Sequence, residues 1–153
     1  MAGPMNVSPA EVSANLLVAK SFSPALSGLA DWGVRINGQF DQPDRMIIVN
    51  DTTGRMDGHR DMINGRQQMH DGVQFMVRDP NEKTGAAKAK ALEILLNENV
   101  QNFIVAVGTD TYQVFCYNQT SPIMNIGREV GKSKRMIWTL NYVMVVTMLP
   151  NLG

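Results

Sequence analysis

The residues from 72 to 99 carry the clearest alternation of apolar and polar positions in the chain. Apolar residues occupy every second position of its first part, at Val73, Phe75 and Val77, which is the period of a strand with one face on a core. Residues 79–82 predict a helix start, because Asp79 can accept hydrogen bonds from free N–H groups, Pro80 suits the first helical position and Glu82 can complete a capping box. A strand that leads directly into a helix predicts a layered architecture in which the helix folds back onto the sheet.

The helix after Pro80 is predicted to have a broad apolar stripe. On a period of 3.6 residues, its apolar residues share about half of the surface, with Ala87, Ala91, Ile94 and Leu95 at the centre and Leu92 and Leu96 at the margin. A stripe of this width predicts two packing partners, namely the sheet and either the other helix or a second subunit.

The rest of the chain supplies one further helix and several strands. Residues 8–11 form a capping box, Ser-Pro-Ala-Glu, which predicts an amphipathic helix to about Lys20. Apolar runs predict strands over residues 33–40, 45–50, 103–107, 111–118 and 136–148. The third and fourth of these form the clearest hairpin. The last is long for a strand, which predicts that its end extends beyond the domain or pairs with a neighbouring subunit. The residues before it, 119–135, are predicted as a long connection.

Residues 51–71 form the least ordinary segment, with three glycines, mixed charge and few core-forming residues. A segment of this length inside a domain is usually functional, disordered or a long hairpin. We predict a projecting hairpin arm that has residues 63–66 at its turn and contacts a neighbouring molecule; the alternative is a solvated loop. Together the elements predict a single α+β domain over residues 1–153, with a mixed, mostly antiparallel sheet and two helices packed on one face.

Composition and charge exclude several classes of protein. The chain has 153 residues, of which 44% are hydrophobic and 18% charged, as in a globular domain. Its fourteen basic and fourteen acidic residues cancel, which argues against a general nucleic-acid binder. The longest aliphatic run, residues 143–146, is far too short to span a membrane, and the N-terminus lacks the layout of a signal peptide. The single cysteine, Cys116, allows no internal disulfide, as expected for assembly in a reducing cytoplasm.

The sequence contains no cluster that predicts catalysis. His59, Asp61, His70 and Asp71 could gather around a metal ion, but their spacing matches no ligand motif. Cys116 lies within a predicted strand, where a buried, inert thiol is expected. The sequence has neither a nucleophile elbow nor a phosphate-binding loop. We therefore predict a protein that is not an enzyme and that holds no metal or cofactor.

Segments spread over nearly the whole chain resemble one known family. They are the N-terminal amphipathic helix, residues 47–54, the polar segment that leads into residues 72–78 with the alanine-rich helix behind it, and residues 121–129 and 135–142 near the C-terminus. The most distinctive is Gly-Val-Gln-x-x-Val-Arg at residues 72–78. In this order the segments resemble the tail terminator proteins of long-tailed bacteriophages, which are also described as tail completion or minor capsid proteins.

This resemblance implies a structural function. Tail terminators form a six-subunit ring on the head-proximal end of the tail tube, where they stop tube polymerisation and dock to the connector of the head. For this chain the resemblance implies a homo-hexamer at the tail–neck junction of the virion, assembled in the host cytoplasm. Its partners would be the tail tube protein and a head–tail connector or stopper protein, and DNA would only pass through.

Two sets of residues are candidates for these contacts. The arm and the second helix are expected to meet neighbouring subunits or the tube through Arg55, His59, Arg60, Arg66, His70, Leu92 and Leu96. The loop before the last strand carries a basic cluster that would line the channel or face the connector, formed by Arg128, Lys132, Lys134 and Arg135. The alternative for this cluster is pairing with neighbouring acidic residues.

Three other functions stay open. Another neck or tail component, such as the stopper or the tube subunit, would also form a ring. A nucleic-acid-binding module would need the basic loop to bind DNA with a steep dependence on salt. A metal-dependent enzyme would need the two histidines of the arm to hold an ion.

Overall fold

The structure is a computed structural model that describes residues 7–24, 26, 31–38, 44–52, 61–63, 66–128 and 135–149, with the backbone alone at 61–63, 66–70 and 128. The described residues form two helices, α1 (Pro9–Ala19) and α2 (Glu82–Glu98). They also form the strands β1 (Gly33–Ile36), β2 (Met46–Thr52), β3 (Asp61–Ile63), β4 (Arg66–Asp79), β5 (Phe103–Val107), β6 (Asp110–Gln119), β7 (Met124–Arg128) and β8 (Met136–Met148).

The strands form one mixed sheet in the order β1-β2-β4-β8-β6-β5, in which β3 pairs with β4 and β7 pairs with β8. β1 is parallel to β2, and the other named pairs are antiparallel. The predicted α+β fold with a mixed, mostly antiparallel sheet is therefore confirmed. β8 is central because it pairs with β4 on one side and with both β6 and β7 on the other.

Both helices pack on the same face of the sheet. The Ser13 hydroxyl of α1 lies 2.7 Å from the Tyr117 hydroxyl and 3.4 Å from the Met144 sulfur. α2 approaches Trp138 so closely that a Cβ atom on Gly85 would overlap the six-membered ring. Met144 and Trp138 are both even-numbered positions of β8, and alternate residues of a strand share a face. The core therefore lies between this face and the two helices.

The first helix begins at the predicted capping box. The Ser8 side chain accepts a hydrogen bond from the Glu11 backbone N–H at 3.2 Å. A second acceptor comes from the sheet, since the Ala10 N–H donates to the Asp51 carboxylate at 2.8 Å. The other oxygen of Asp51 accepts from the Asn37 side chain, also at 2.8 Å. Asp51 thus fastens the first turn of α1 to the end of β2.

The second helix starts two residues later than the sequence pattern predicts. Its N-cap is Asn81, whose side chain accepts from the N–H groups of Lys83 and Thr84. Asp79 is fully buried and instead accepts from the Asn81 N–H, the Thr84 hydroxyl and the Arg45 guanidinium. The predicted cap therefore acts as an anchor between α2 and the strand before it.

The buried stripe of α2 is rotated from the predicted one. The helix turns Gly85, Ala89, Leu92 and Leu96 into the core. Of the four residues predicted at the centre of the stripe, Ala87, Ala91 and Ile94 are exposed on the outer side, whereas Leu95 is half-buried and packs against the core. The cause is the contact with Trp138, since only a glycine leaves room for the ring at the first turn. Gly85 thus lets the first turn of α2 lie close to the sheet.

The predicted connection over residues 119–135 contains a strand. β7 continues along the side of β8 that β6 occupies, because Gln119 pairs with Tyr142 and Met124 pairs with Thr139. The end of β8 stays within this sheet, since its residues up to Met148 pair with β6. The prediction that this end extends beyond the domain is therefore wrong.

The predicted hairpin arm has its two strands in the described residues. Ile63 pairs with Arg66 and Asp61 pairs with Gln68, which places the turn where the sequence predicts it. β4 then runs on beside β8 from Met69. Residues 53–60 of the predicted arm lie outside the described residues.

Candidate functional site

Most predicted contact residues of the arm and the basic loop lie outside the described side chains. Arg55, His59, Arg60, Lys132 and Lys134 are not among the described residues. Arg66 and His70 belong to β4 and Arg128 to β7, with the backbone alone described. Their predicted roles stay predictions.

The structure corrects the assignment of Leu92 and Leu96 to an interface. Both side chains are buried in the core of the chain itself. The rotation of α2 explains this, since the stripe that contains them faces the sheet. The exposed large apolar residue on the outer side of α2 is Ile94.

The structure also corrects the assignment of Arg135 to the channel or the connector face. Its side chain is buried immediately before β8, and its guanidinium lies 3.5 Å from the Asp44 carboxylate. An arginine held in this way is not free to line a channel or to face a connector. The alternative stated for the basic cluster, pairing with acidic residues, therefore applies to Arg135 within one chain.

Of the five exposed large apolar side chains in the described residues, four belong to the lateral edges of the sheet and the fifth, Ile94, belongs to α2. At one edge, Leu26 is 38% exposed and forms an isolated bridge outside Val34 of β1. At the opposite edge, Ile104 of β5 is 56% exposed, and on β7 Met124 is 45% and Ile126 is 56% exposed. Apolar groups on free sheet edges are typical of surfaces that bind another chain.

The edge formed by β5, the end of β6 and β7 is unusually poor in charge. From Asn99 to Gly127 the chain contains one charged residue, Asp110. Free edge strands in monomers usually carry lysine, proline, inward-pointing charges or β-bulges, which prevent pairing with other chains. This edge has bulges, between Val114 and Cys116 in β6 and between Asn125 and Gly127 in β7. In the described residues no strand pairs with the outer side of β7 or of residues 116–119 in β6. This uncharged run was a signal present in the sequence, but its meaning depends on knowing which strands form the edge.

A shallow cleft adjoins the same edge. It has a volume of about 470 Å³ and is lined by Glu93 of α2 and residues 119–122 between β6 and β7. Glu93 accepts hydrogen bonds from Lys90 at 2.7 Å and Gln119 at 2.9 Å, and these bonds lower the pKa of its carboxyl group. The carboxylate already has partners, and the hydroxyl groups of Thr120 and Ser121 have no histidine or lysine beside them among the lining residues, so these residues form no catalytic arrangement.

The described residues show no metal centre, and their one cysteine is less buried than the sequence predicts. They contain no group of three His, Cys, Asp or Glu residues that could hold a metal ion. Of the residues considered for a metal in the sequence, His59 and the side chains of Asp61 and His70 lie outside what is described. Cys116 is a free, partly exposed thiol, with the Asn118 amide 3.8 Å from its sulfur. Neither described helix is long and apolar enough to cross a membrane.

Comparison with known proteins adds a distant likeness in structure. No protein-family model and no curated protein sequence matches the chain. One solved structure, of a protein designated only by a sequence identifier, is similar over 95% of this chain and 99% of its own. The two chains share 15% identical residues, with a TM-score of 0.49. A likeness this distant carries no argument about function.

Proposed function

We propose that the protein is a structural virion protein that forms a ring at the head-proximal end of a phage tail tube. In this role it ends polymerisation of the tube and joins the tail to the head connector. The proposal is supported by the resemblance of the sequence to tail terminators and by one structural observation. That observation is the presence of exposed apolar side chains at two unlike, opposite edges of one sheet, with Leu26 at one edge and Ile104, Met124 and Ile126 at the other.

The exposed apolar residues of the two edges favour a head-to-tail contact between copies. Leu26 lies beside β1, whereas Met124 and Ile126 lie on β7 at the far side of the sheet. A contact between unlike surfaces is heterologous, and repeated heterologous contacts generate either a closed ring or an open filament. In a ring, both of these edges on every copy would face a neighbour and not water.

Within this proposal the chain acts by binding, without catalysis or a cofactor. One end of the ring would meet the tail tube protein and the other a connector or stopper protein, while DNA passes through the centre. The arm residues Arg55, His59, Arg60, Arg66 and His70 are candidates for contacts with the tube or with neighbouring copies. Arg128, Lys132 and Lys134 are candidates for the channel or the connector face.

The experiment that tests the proposal is native mass spectrometry of the purified protein, alone and mixed with tail tubes assembled from the tube protein of the same genome. We expect a six-subunit ring, either free or captured on one end of the tubes, and electron microscopy should show capped tubes that no longer lengthen. Self-assembly into long tubes would instead identify a tube subunit. A monomer that ignores tubes would refute the proposal.

A pair of matched variants links this result to the edges. Ile126→Glu places a charge on the β7 edge, and Ile94→Glu places the same charge on the outer side of α2, where 43% of the side chain is exposed. We expect the first variant to lose the ring, because an unpaired charge in an apolar contact is costly, and the second to keep it. Equal loss in both variants would show that the edge is not the contact.

A further inference from the structure

The sequence contains two Asn-Gly pairs, at residues 37–38 and 64–65, and the structure describes the first of them. Asn37 follows β1 directly and is exposed. An asparagine followed by glycine loses its side-chain amide most readily, because glycine has no Cβ atom to hinder its backbone nitrogen. The space that a Cβ atom would occupy at Gly38 is open, since no atom of the described residues beyond its chain neighbours lies within 4 Å of it.

The side-chain amide of Asn37 is fixed at both ends by one residue. Its nitrogen donates to the Asp51 carboxylate at 2.8 Å, and its oxygen accepts from the Asp51 backbone N–H, also at 2.8 Å. The backbone is held as well, because the Asn37 N–H donates to the Val49 carbonyl at 2.8 Å. Its φ of 52° lies in the left-handed region, which asparagine tolerates better than most residues. For the amide to turn towards the Gly38 nitrogen, both contacts with Asp51 have to open.

The same carboxylate holds the first helix. The second oxygen of Asp51 accepts from the Ala10 N–H in the first turn of α1 at 2.8 Å. Asp51 therefore joins three elements, namely the end of β1, the end of β2 and the start of α1. A chemical change at Asn37 would displace the group on which this attachment of α1 depends.

We propose that Asn37 is a site of deamidation, that Asp51 guards it in the folded chain, and that the modification loosens α1 from the sheet. The guard acts because an amide held by two hydrogen bonds has to break them before it can react. This site does not depend on the proposed ring and adds a covalent change that the proposed function does not include.

The reaction consumes water and releases ammonia. The Gly38 backbone nitrogen attacks Cγ of Asn37 and loses its proton, the bond from Cγ to Nδ2 breaks, and Nδ2 leaves with that proton as ammonia. Water then opens the succinimide ring at either carbonyl carbon, which leaves aspartate or isoaspartate. The product has a carboxylate where the amide donated to Asp51, and like charges at this distance repel each other. Isoaspartate also adds a carbon to the backbone, which disturbs the bond to Val49.

The test follows deamidation while the folded protein is incubated at neutral pH, by tryptic peptide mapping with mass spectrometry. Trypsin places the two Asn-Gly pairs in separate peptides, because several arginines stand between them. Asp51→Asn is the selective variant, since the new side chain keeps an oxygen for the Ala10 N–H but turns an NH2 group towards that of Asn37. We expect deamidation at Asn37 to be about tenfold faster in this variant, which is the factor that one hydrogen bond to a charged group supplies.

Two matched variants isolate the guard. Ser8→Ala removes the other side-chain acceptor at the start of α1 and leaves Asn37 and Asp51 unchanged, so Asn37 should deamidate at the unmodified rate. Gly38→Ala places a Cβ atom in the open space beside the reacting nitrogen. It should suppress deamidation at Asn37, while the pair at residues 64–65 reacts as before.

Asn37→Asp carries the charge of the product without the reaction. Amide hydrogen exchange in the first turn of α1 should be faster in this variant, because the two carboxylates repel each other and Asp51 moves away from the Ala10 N–H. The difference should shrink at high salt, since salt screens exposed charges.

Each part of the proposal can be overturned separately. Equal rates at Asn37 in Asp51→Asn and Ser8→Ala, whether slow or fast, would overturn the guard by Asp51. Absence of deamidation at Asn37 even in urea-unfolded protein would overturn the site itself. Exchange in the first turn of α1 that is as slow in Asn37→Asp as in the unmodified protein would overturn the loosening of α1.

Discussion

Replacement of Gly85 by alanine tests how closely α2 is packed onto the sheet. A Cβ atom at this position would overlap the six-membered ring of Trp138 and would stand 3.0 Å from the Cβ atom of Asp79. The ring has little room to retreat, because Trp138 is buried and its backbone is paired on both sides, with Val77 and with Asn125.

Two effects of opposite sign decide the size of the change. Alanine in place of glycine within a helix favours folding by about 1 kcal/mol. Insertion of an extra carbon into a filled core costs about 1–3 kcal/mol, and more where the neighbours cannot move. Since both neighbours of Gly85 belong to the strands that carry the core, we expect the steric cost to prevail and Gly85→Ala to destabilise the protein by about 2 kcal/mol.

The assay is urea unfolding at fixed protein concentration, followed by far-ultraviolet circular dichroism. Ala87→Gly is the control for helix propensity, because Ala87 lies on the exposed side of the same helix, and it should cost about 1 kcal/mol. A double-mutant cycle with Trp138→Phe isolates the contact, since phenylalanine lacks the ring atoms that the new Cβ meets. The combined variant should be less destabilised than the sum of the single variants by at least about 1 kcal/mol.

Two results would refute this reasoning. If Gly85→Ala proves as stable as the unmodified protein or more stable, α2 has more room than the structure gives it. If the cycle yields additive changes, the cost of the substitution does not arise from Trp138.

Three further predictions concern buried polar groups. Tyr142→Phe should leave the free energy of unfolding unchanged or raise it by about 1 kcal/mol, because the buried hydroxyl has no hydrogen-bond partner among the described residues. Tyr117→Phe should lower the free energy of unfolding by about 1 kcal/mol, because it removes the hydrogen bond to Ser13. Urea unfolding compares the two variants, and equal losses of stability would contradict this prediction. Burial raises the pKa of both tyrosines, so each contributes stability that is fully present below the unfolded pKa of about 10 and is lost at higher pH, by up to about 1.4 kcal/mol per pH unit for each ring. The free energy of unfolding should therefore fall less steeply with alkaline pH in the double phenylalanine variant. An equally steep fall would contradict the shift in pKa. Asp79→Ala should lower the free energy of unfolding by about 3 kcal/mol, because it removes a buried carboxylate that accepts hydrogen bonds from three groups. Asn81→Ala removes the cap of α2 and should lower it by about 1 kcal/mol. Thermal unfolding compares the two variants, and a larger loss for Asn81→Ala would contradict the role of Asp79 as an anchor.

Elements defined by local patterns could be predicted from the sequence. The bounds of β8 and β5 match the predicted ones, and the turn between Ile63 and Arg66 lies where the glycine and asparagine place it. α1 follows from its capping box because the Ser8 cap is a contact between residues three apart. In each case the residues that determine the structure are neighbours in the chain.

Features that depend on distant residues could not be predicted in the same way. The rotation of α2 is decided by Trp138, more than fifty residues beyond Gly85, and alanines give no signal about which side faces a sheet. β7 carries few apolar residues, and its pairing is provided by β8. The burial of Arg135 depends on Asp44. The candidate edges are of the same kind, because the order of the strands decides which exposed apolar residues lie at an edge of the sheet.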